Sequence, residues 1–320
     1  MAIVDFIRSF NMFDLDRFAK GVEEFSFFEI AFVGGRNEAV FTGDFFIDYS
    51  DYVGGEIDAV DLFSEGFWLL NVETRAFPAD EVIFFAEIGD FDKAFQILLS
   101  GDDTVYGSPQ NDVIRAFDGS DAIYAGLGND DIISGRGGDF IDGDAGLDIV
   151  YYEGARSQYD VFQSVSTIFV NGNPDGFDEL IAVERLNFVD GTLAFDTQGN
   201  AGMAYRIYQA AFDRTPDDAG LRFWINQLDN GVSLKQAAEG FVQSAEFRLV
   251  YGIDPTSQEY VDRLYHNVLG RPGEAGGFDF WTNALDTGRL DEADVLMGFS
   301  ESWENITLVQ PAIEDGIFYA

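Results

Sequence analysis

Six aspartates stand nine residues apart: Asp103, Asp112, Asp121, Asp130, Asp139 and Asp148. Repeated carboxylates supply hard, charged oxygens, the donors that calcium prefers. Glycine stands two residues before each aspartate in five of the six cases, at Gly101, Gly119, Gly128, Gly137 and Gly146, with Gln110 the exception. A β-branched apolar residue stands two residues after each: Val105, Ile114, Ile123, Ile132, Ile141 and Val150. A glycine turn ending in a carboxylate, followed by one inward apolar side chain, is the unit of a calcium-binding parallel β-roll.

The best-formed turns are Ala125–Asp130, Ser134–Asp139 and Gly143–Asp148. Glycine permits the left-handed backbone of a tight turn and leaves its carbonyl oxygens uncovered. The metal-ligand candidates are therefore the six aspartates and the turn carbonyls near Gly119, Gly126, Gly128, Gly135, Gly137, Gly143 and Gly146. Two repeats make one coil, so turns on the same edge lie eighteen residues apart. Asp103, Asp121 and Asp139 line one edge, and Asp112, Asp130 and Asp148 the other. The gaps 103/121, 121/139, 112/130 and 130/148 predict about four calcium ions, each shared by neighbouring turns. The first turn departs from the pattern, with Leu98 and Leu99 at glycine positions, and so does the second, which carries Ser108, Pro109 and Gln110. Without cations the stacked carboxylates repel, so the roll is expected to fold only where calcium is plentiful.

The surrounding chain predicts a multidomain α+β protein. Residues 1–100 read as a β-rich domain, with apolar runs at Glu38–Phe41, Phe45–Tyr49, Phe67–Val72 and Val82–Phe85 between Gly and Asp turns. Short helices are expected at Asp14–Lys20 and Phe91–Leu99. The roll occupies 101–151. A β cap follows at 152–198, with strands near Tyr159–Phe162, Thr167–Val170 and Val183–Phe188. Within it, Asn171, Asn173, Asp175 and Gly176 have the order of half an EF-hand loop, but Ala182 stands where a closing glutamate is needed, so a hairpin turn is expected.

From residue 199 to 311 the period becomes helical and duplicated. Ala204, Ile207, Tyr208, Ala211 and Phe212 form one apolar stripe, and Val261, Leu264, Tyr265, Val268 and Leu269 repeat it 57 positions later. Arg214 matches Arg271, Gly220 matches Gly277, and Phe223 with Trp224 matches Phe280 with Trp281. Thr215 is expected to cap a helix that Pro216 opens and Gly231 ends; Ser233 and Gln236 have capping-box spacing. The tryptophans are expected in the core, and the two arginines on carbonyls at helix ends. Residues 312–320 form a tail, acidic then apolar.

The net charge is -40, from 58 acidic and 18 basic residues, which argues against nucleic acid as a partner. The absence of cysteine and the single histidine, His266, exclude disulfides, thiolate sites and multi-histidine sites. No apolar run is long enough to predict a transmembrane segment. The N-terminus lacks the pattern of a secretory signal peptide. Taken alone, those two absences point to the cytoplasm.

The array resembles the RTX (repeats-in-toxin) proteins, whose turn reads Gly-Gly-x-Gly-x-Asp-x-apolar-x. All six repeats match at the aspartate and apolar positions. The resemblance implies a bacterial protein exported unfolded by type I secretion machinery through an uncleaved C-terminal signal, and so a secreted or cell-surface location. The tail Ile313–Ala320 looks like part of such a signal. The helical duplication resembles domain of unknown function 4214, which is distantly like phycobilisome linkers. Arg214, Gly220–Trp224, Arg271, Gly277–Trp281 and Phe299–Ser302 carry that resemblance.

The chain has no HExxH motif, and Gly298–Ser302 lacks the last glycine of GxSxG. A non-enzymatic calcium-binding protein is therefore expected, with no catalytic residues, acting by adhesion or assembly on a cell-surface or matrix component. The alternatives are a carbohydrate-active or other hydrolytic enzyme with its site in residues 1–100, and a linker-like assembly protein.

Overall fold

The computed structural model describes the backbone strands 28–34, 37–47, 53–64 and 67–78, and all of residues 99–320. The chain divides into two compact units, Met1–Val189 and Asp190–Ala320. The helices expected at Asp14–Lys20 and Phe91–Leu99, and the run Val82–Phe85, lie outside the described residues apart from Leu99, which sits in a turn.

The first unit begins with four long antiparallel strands in sequence order: β1 (Phe28–Gly34), β2 (Asn37–Ile47), β3 (Val53–Ser64) and β4 (Phe67–Pro78). The expected run Glu38–Phe41 and residues 45–47 of the next run thus share one strand, whose register shifts at Thr42/Gly43; residues 48 and 49 lie outside the described residues. A bulge of this kind carries a strand through residues that read as a turn. The fourth strand pairs antiparallel with the roll's first, Val72 opposite Val105.

The roll has six three-residue strands: β5 (Thr104–Tyr106), β6 (Val113–Arg115), β7 (Ala122–Tyr124), β8 (Asp131–Ile133), β9 (Phe140–Asp142) and β10 (Ile149–Tyr151). The strands are short because a turn interrupts every nine residues. Odd strands pair in parallel on one face and even strands on the other. The central residue of each, from Val105 to Val150, is 0% exposed. Burying such a side chain contributes about 1.5–3 kcal/mol, and the stack repeats this at every strand.

The cap continues both sheets. The strands β11 (Tyr159–Ser164), β12 (Thr167–Gly172) and β13 (Gly176–Ile181) form an antiparallel meander, and β13 pairs in parallel with β9, Leu180 opposite Ile141. The expected turn after Asn171 is a hairpin, β12 to β13, and β13 is a strand that apolar periodicity did not reveal. The last strand, β14 (Arg185–Phe188), is shorter than the expected Val183–Phe188 and pairs in parallel with β10, Leu186 opposite Val150.

The second unit holds a two-stranded antiparallel pair, β15 (Gly191–Ala194) with β16 (Ile317–Tyr319), and eight helices. The tail is therefore ordered, with Ile317 and Tyr319 buried. The first copy comprises α1 (Asn200–Phe212), α2 (Asp218–Asp229), α3 (Leu234–Val242) and α4 (Ala245–Tyr251). The second comprises α5 (Ser257–Leu269), α6 (Ala275–Asp286), α7 (Glu292–Ser300) and α8 (Trp303–Ile313). Both copies supply one shared core, in which Trp224 stacks on Phe241 at 4.5 Å and Trp281 packs on Phe299 at 5.5 Å.

Two local expectations need correction. The cap of α2 is Asp217, whose side chain accepts the Gly220 N–H at 2.9 Å, and not Thr215. A charged carboxylate at the positive helix end outcompetes the hydroxyl two residues earlier. Arg214 and Arg271 do reach one carbonyl each, but their main partners are carboxylates. Arg214 donates to Glu246 at 2.7 Å, and Arg271 grips Glu304 with two bonds of 2.6 Å. The capping box at Ser233 and Gln236 is present.

Arg206, in α1, is 1% exposed and donates to both Glu301 oxygens and to the Thr197 carbonyl. Arg206 is buried and Glu301 is partly exposed, so removing the arginine should cost more than the about 0.5 kcal/mol of an exposed pair, though less than for a fully buried one. Arg206→Ala should therefore lower the urea midpoint of the helical unit more than Arg271→Ala. Equal shifts for the two variants would refute this.

Candidate metal centre

The aspartates stack along two edges, as the eighteen-residue coil requires. On the first edge the Asp103 N–H donates to Asp121 Oδ1 at 2.8 Å, and the Asp121 N–H to Asp139 Oδ1 at 2.9 Å. On the second the Asp112 N–H donates to Asp130 Oδ1 at 2.8 Å, and the Asp130 N–H to Asp148 Oδ1 at 2.9 Å. Each accepting carboxylate thus lies between its own coil and the one before. Its second oxygen has no such partner. Oδ2 of Asp121, Asp130, Asp139 and Asp148 is buried and accepts no hydrogen bond. These four atoms fall one to a gap, at 103/121, 112/130, 121/139 and 130/148. A buried charged oxygen without a donor is costly, and a cation is the simplest compensation.

Among the described residues, no three His, Asp or Glu side chains are grouped to hold an ion by themselves. Carbonyls must complete the coordination, and the turns place them in layers. A Cβ at Gly137 would lie 1.4 Å from the Gly119 carbonyl oxygen, and one at Gly146 would lie 1.5 Å from that of Gly128. The fourth residue before the aspartate has positive φ in four successive turns, at Phe117, Gly126, Gly135 and Asp144. The turn shape persists even where glycine is missing. Gly143 stands at a strand exit, where a Cβ would lie 2.2 Å from the Ala182 carbonyl oxygen and 2.7 Å from Asp148 Oδ2. Two carboxylates with several carbonyls per gap suit the flexible oxygen coordination of calcium.

The second turn departs from the others in a way that explains its sequence. Ser108 donates its N–H to Asp112 Oδ2 at 2.6 Å and its hydroxyl to Oδ1 at 3.0 Å. The first carboxylate of this edge is therefore satisfied within its own turn. Asp103, at the start of the other edge, is 3% exposed.

Sequence periodicity missed two members of the ladders. The Asp139 N–H donates to Asp178 Oδ1 at 3.0 Å, and the Asp148 N–H to Glu184 Oε2 at 2.9 Å. Their separations are 39 and 36 residues, against 18 within the array; Asp178 leaves the nine-residue register, whereas Glu184 lies on it with glutamate in place of aspartate. The usable signal was Gly176, Asp178 and Leu180, which repeats the glycine–aspartate–apolar spacing of the array.

Burial raises the carboxyl pKa of Asp121 and Asp148 from 3.8 to about 7 and that of Asp130 to about 6, with like charges adding and backbone N–H donors opposing. Asp139 is raised for the same leading reason. A folded-state pKa above the unfolded 3.8 means that the metal-free roll binds extra protons. Its stability is therefore present at low pH and is lost as pH rises through about 7. Calcium must displace those protons. Calcium titration near pH 6 should release more protons, and show weaker affinity, than titration near pH 8. Calorimetry in buffers of different ionisation enthalpy reads this, and heats independent of buffer at both pH values would contradict it.

No helix among the described residues is long and apolar enough to cross a membrane. No curated protein matches the chain. Among solved structures, the extracellular lipase LipA from Serratia marcescens is similar at 22% identity over 28% of this chain and 13% of that one, with a TM-score of 0.17. The model of the RTX calcium-binding nonapeptide repeat matches residues 99–132 and 128–155. That of a domain of unknown function, DUF4214, matches residues 198–250 and 238–309. The stacked turns of residues 99–155 are thus RTX calcium-binding nonapeptide repeats, and a DUF4214 domain follows them at residues 198–309.

Proposed function

We propose that this chain is a secreted, non-enzymatic protein whose roll folds when it meets calcium outside the cell. About four ions would occupy the gaps between coils, each held by two ladder carboxylates and turn carbonyls. The observation that carries this reading is the set of buried, unpartnered Oδ2 atoms of Asp121, Asp130, Asp139 and Asp148, one in each gap. Calcium would supply the positive charge those oxygens lack and link successive coils.

Export by type I machinery before folding is consistent with a calcium-dependent roll, since cytosolic calcium is too dilute to fill weak sites. The tail around Ile313–Ala320 would act as the signal while unfolded and close against β15 afterwards. The helical duplication would serve adhesion or assembly at a cell surface or matrix. The test is circular dichroism with calorimetry during calcium titration, with magnesium as control. Calcium should produce a cooperative gain of β structure at roughly millimolar concentration, and magnesium should not. The double variant Asp130→Ala with Asp139→Ala should shift that transition to higher calcium. Spectra indifferent to calcium would end this reading.

A further inference from the structure

The roll is one turn longer than its repeats. On the first edge, the step from Asp139 to Asp178 reproduces three main-chain contacts of the step from Asp121 to Asp139. The aspartate N–H donates to the next carboxylate at 3.0 Å, as against 2.9 Å. The Glu179 N–H donates to the Asp139 carbonyl at 2.8 Å, as the Phe140 N–H does to that of Asp121. The Gly137 N–H donates to the Asp175 carbonyl at 2.8 Å, as the Gly119 N–H does to that of Arg136 at 2.7 Å. A Cβ at Gly176 would lie 1.9 Å from the Gly137 carbonyl oxygen, so the same carbonyl-lined cradle recurs. Leu180, two residues after Asp178, is 0% exposed like the inward residues of the array.

The charge at this end is also uncompensated. Asp139, Asp175 and Asp178 are each at most 5% exposed. Burial raises Asp178 to about 7, and the neighbouring Asp139 and Asp175 add to the rise. No lysine or arginine among the described residues pairs with any of the three. Their side-chain donors are uncharged hydroxyls: Tyr152 donates to Asp178 Oδ2 at 3.0 Å, Tyr159 donates to Asp175 Oδ2, and the Ser134 hydroxyl faces Asp139. Asp139 Oδ2, the unpartnered oxygen of the 121/139 gap, belongs to the carboxylate that the two gaps share.

We infer that Asp139 and Asp178, with the Gly137 carbonyl between them, form a further calcium site outside the nonapeptide array. The inference rests on the calcium reading above. A carboxylate oxygen carries two lone pairs, so the Tyr152 hydroxyl and a cation can share Asp178 Oδ2. The competing role for Asp178 is purely structural: Tyr152 would end the ladder in place of an ion.

Equilibrium dialysis of the full chain, with metal analysis, counts bound calcium. Asp178→Asn keeps an oxygen for the Asp139 N–H and removes the charge, and Asp121→Asn is the control within the array. The Asp178→Asn chain should hold one ion fewer than the parent at saturation. An unchanged count overturns the inference, whereas a parent that binds no calcium overturns the underlying reading instead. Terbium luminescence covers the case in which Asp178→Asn does not fold. The Tyr152 ring stands at this site, so Tyr152→Phe should remove a large part of the tyrosine-sensitised terbium emission while leaving the calcium count unchanged. Undiminished emission would show that no ion sits beside Tyr152.

Discussion

Chelating calcium is expected to melt the roll and leave the helical unit standing. A site with a dissociation constant near 0.1 mM gains about 1.4–2.7 kcal/mol at roughly 1–10 mM calcium. Four such sites approach the whole stability of an ordinary domain, about 5–15 kcal/mol. Chelation removes that term and leaves buried like charges in register. The helical unit has no such debt, because Arg206, Arg214 and Arg271 already neutralise Glu301, Glu246 and Glu304. Calorimetry should therefore show two transitions in calcium, and the chelator should abolish only one. Loss of helical signal in parallel with the β signal would count against the separation, and two unmoved transitions would count against calcium control of folding.

Gly137→Ala should abolish or severely weaken the roll's calcium-dependent folding. The backbone there has φ +137, and the new Cβ would lie 1.4 Å from the Gly119 carbonyl oxygen. No side-chain rotation relieves a clash with backbone, so two coils must part, and the 121/139 gap parts with them. A destabilisation above about 4 kcal/mol is expected, the range reserved for strain at special backbone positions. Since about 1.4 kcal/mol corresponds to a tenfold change in an equilibrium constant, the calcium midpoint should rise by far more than tenfold, or the β transition should vanish. Gly231→Ala is the matched control. It also has positive φ, +84, but nothing lies within 4 Å of its Cβ position. Its cost should be about 1 kcal/mol and confined to the helical transition. Circular dichroism across a calcium series measures both, and similar behaviour of the two variants would remove the steric argument.

The sequence made the roll legible because its chemistry is periodic. Each aspartate implies its neighbours, and each apolar residue two places on implies a strand. The ladder's continuation was hidden because Asp178 leaves the nine-residue register, and because Glu184, which keeps it, replaces aspartate. The β12–β13 hairpin also disguised Gly176 as a simple turn residue. In the helical unit, duplication located the repeats and the tryptophans, since paired apolar stripes imply paired cores. The arginine partners were not legible: Glu301 lies 95 residues from Arg206, and only the folded chain brings them together. The capping residue of α2 was misplaced by two positions because Thr215, Asp217 and Asp218 all satisfy a cap's chemistry.

Asp139 and Asp178 are neighbours in the ladder although 39 residues separate them, and the interval holds the last repeat and then the β11–β12 excursion. The stack's order is thus kept by main-chain donors meeting carboxylates, not by chain continuity. A segment that departs and returns at a turn leaves the rungs on both sides intact. The edges of the roll are accordingly points where foreign sequence can be spliced in, and the existing hairpin marks one place where the fold already accepts such a graft.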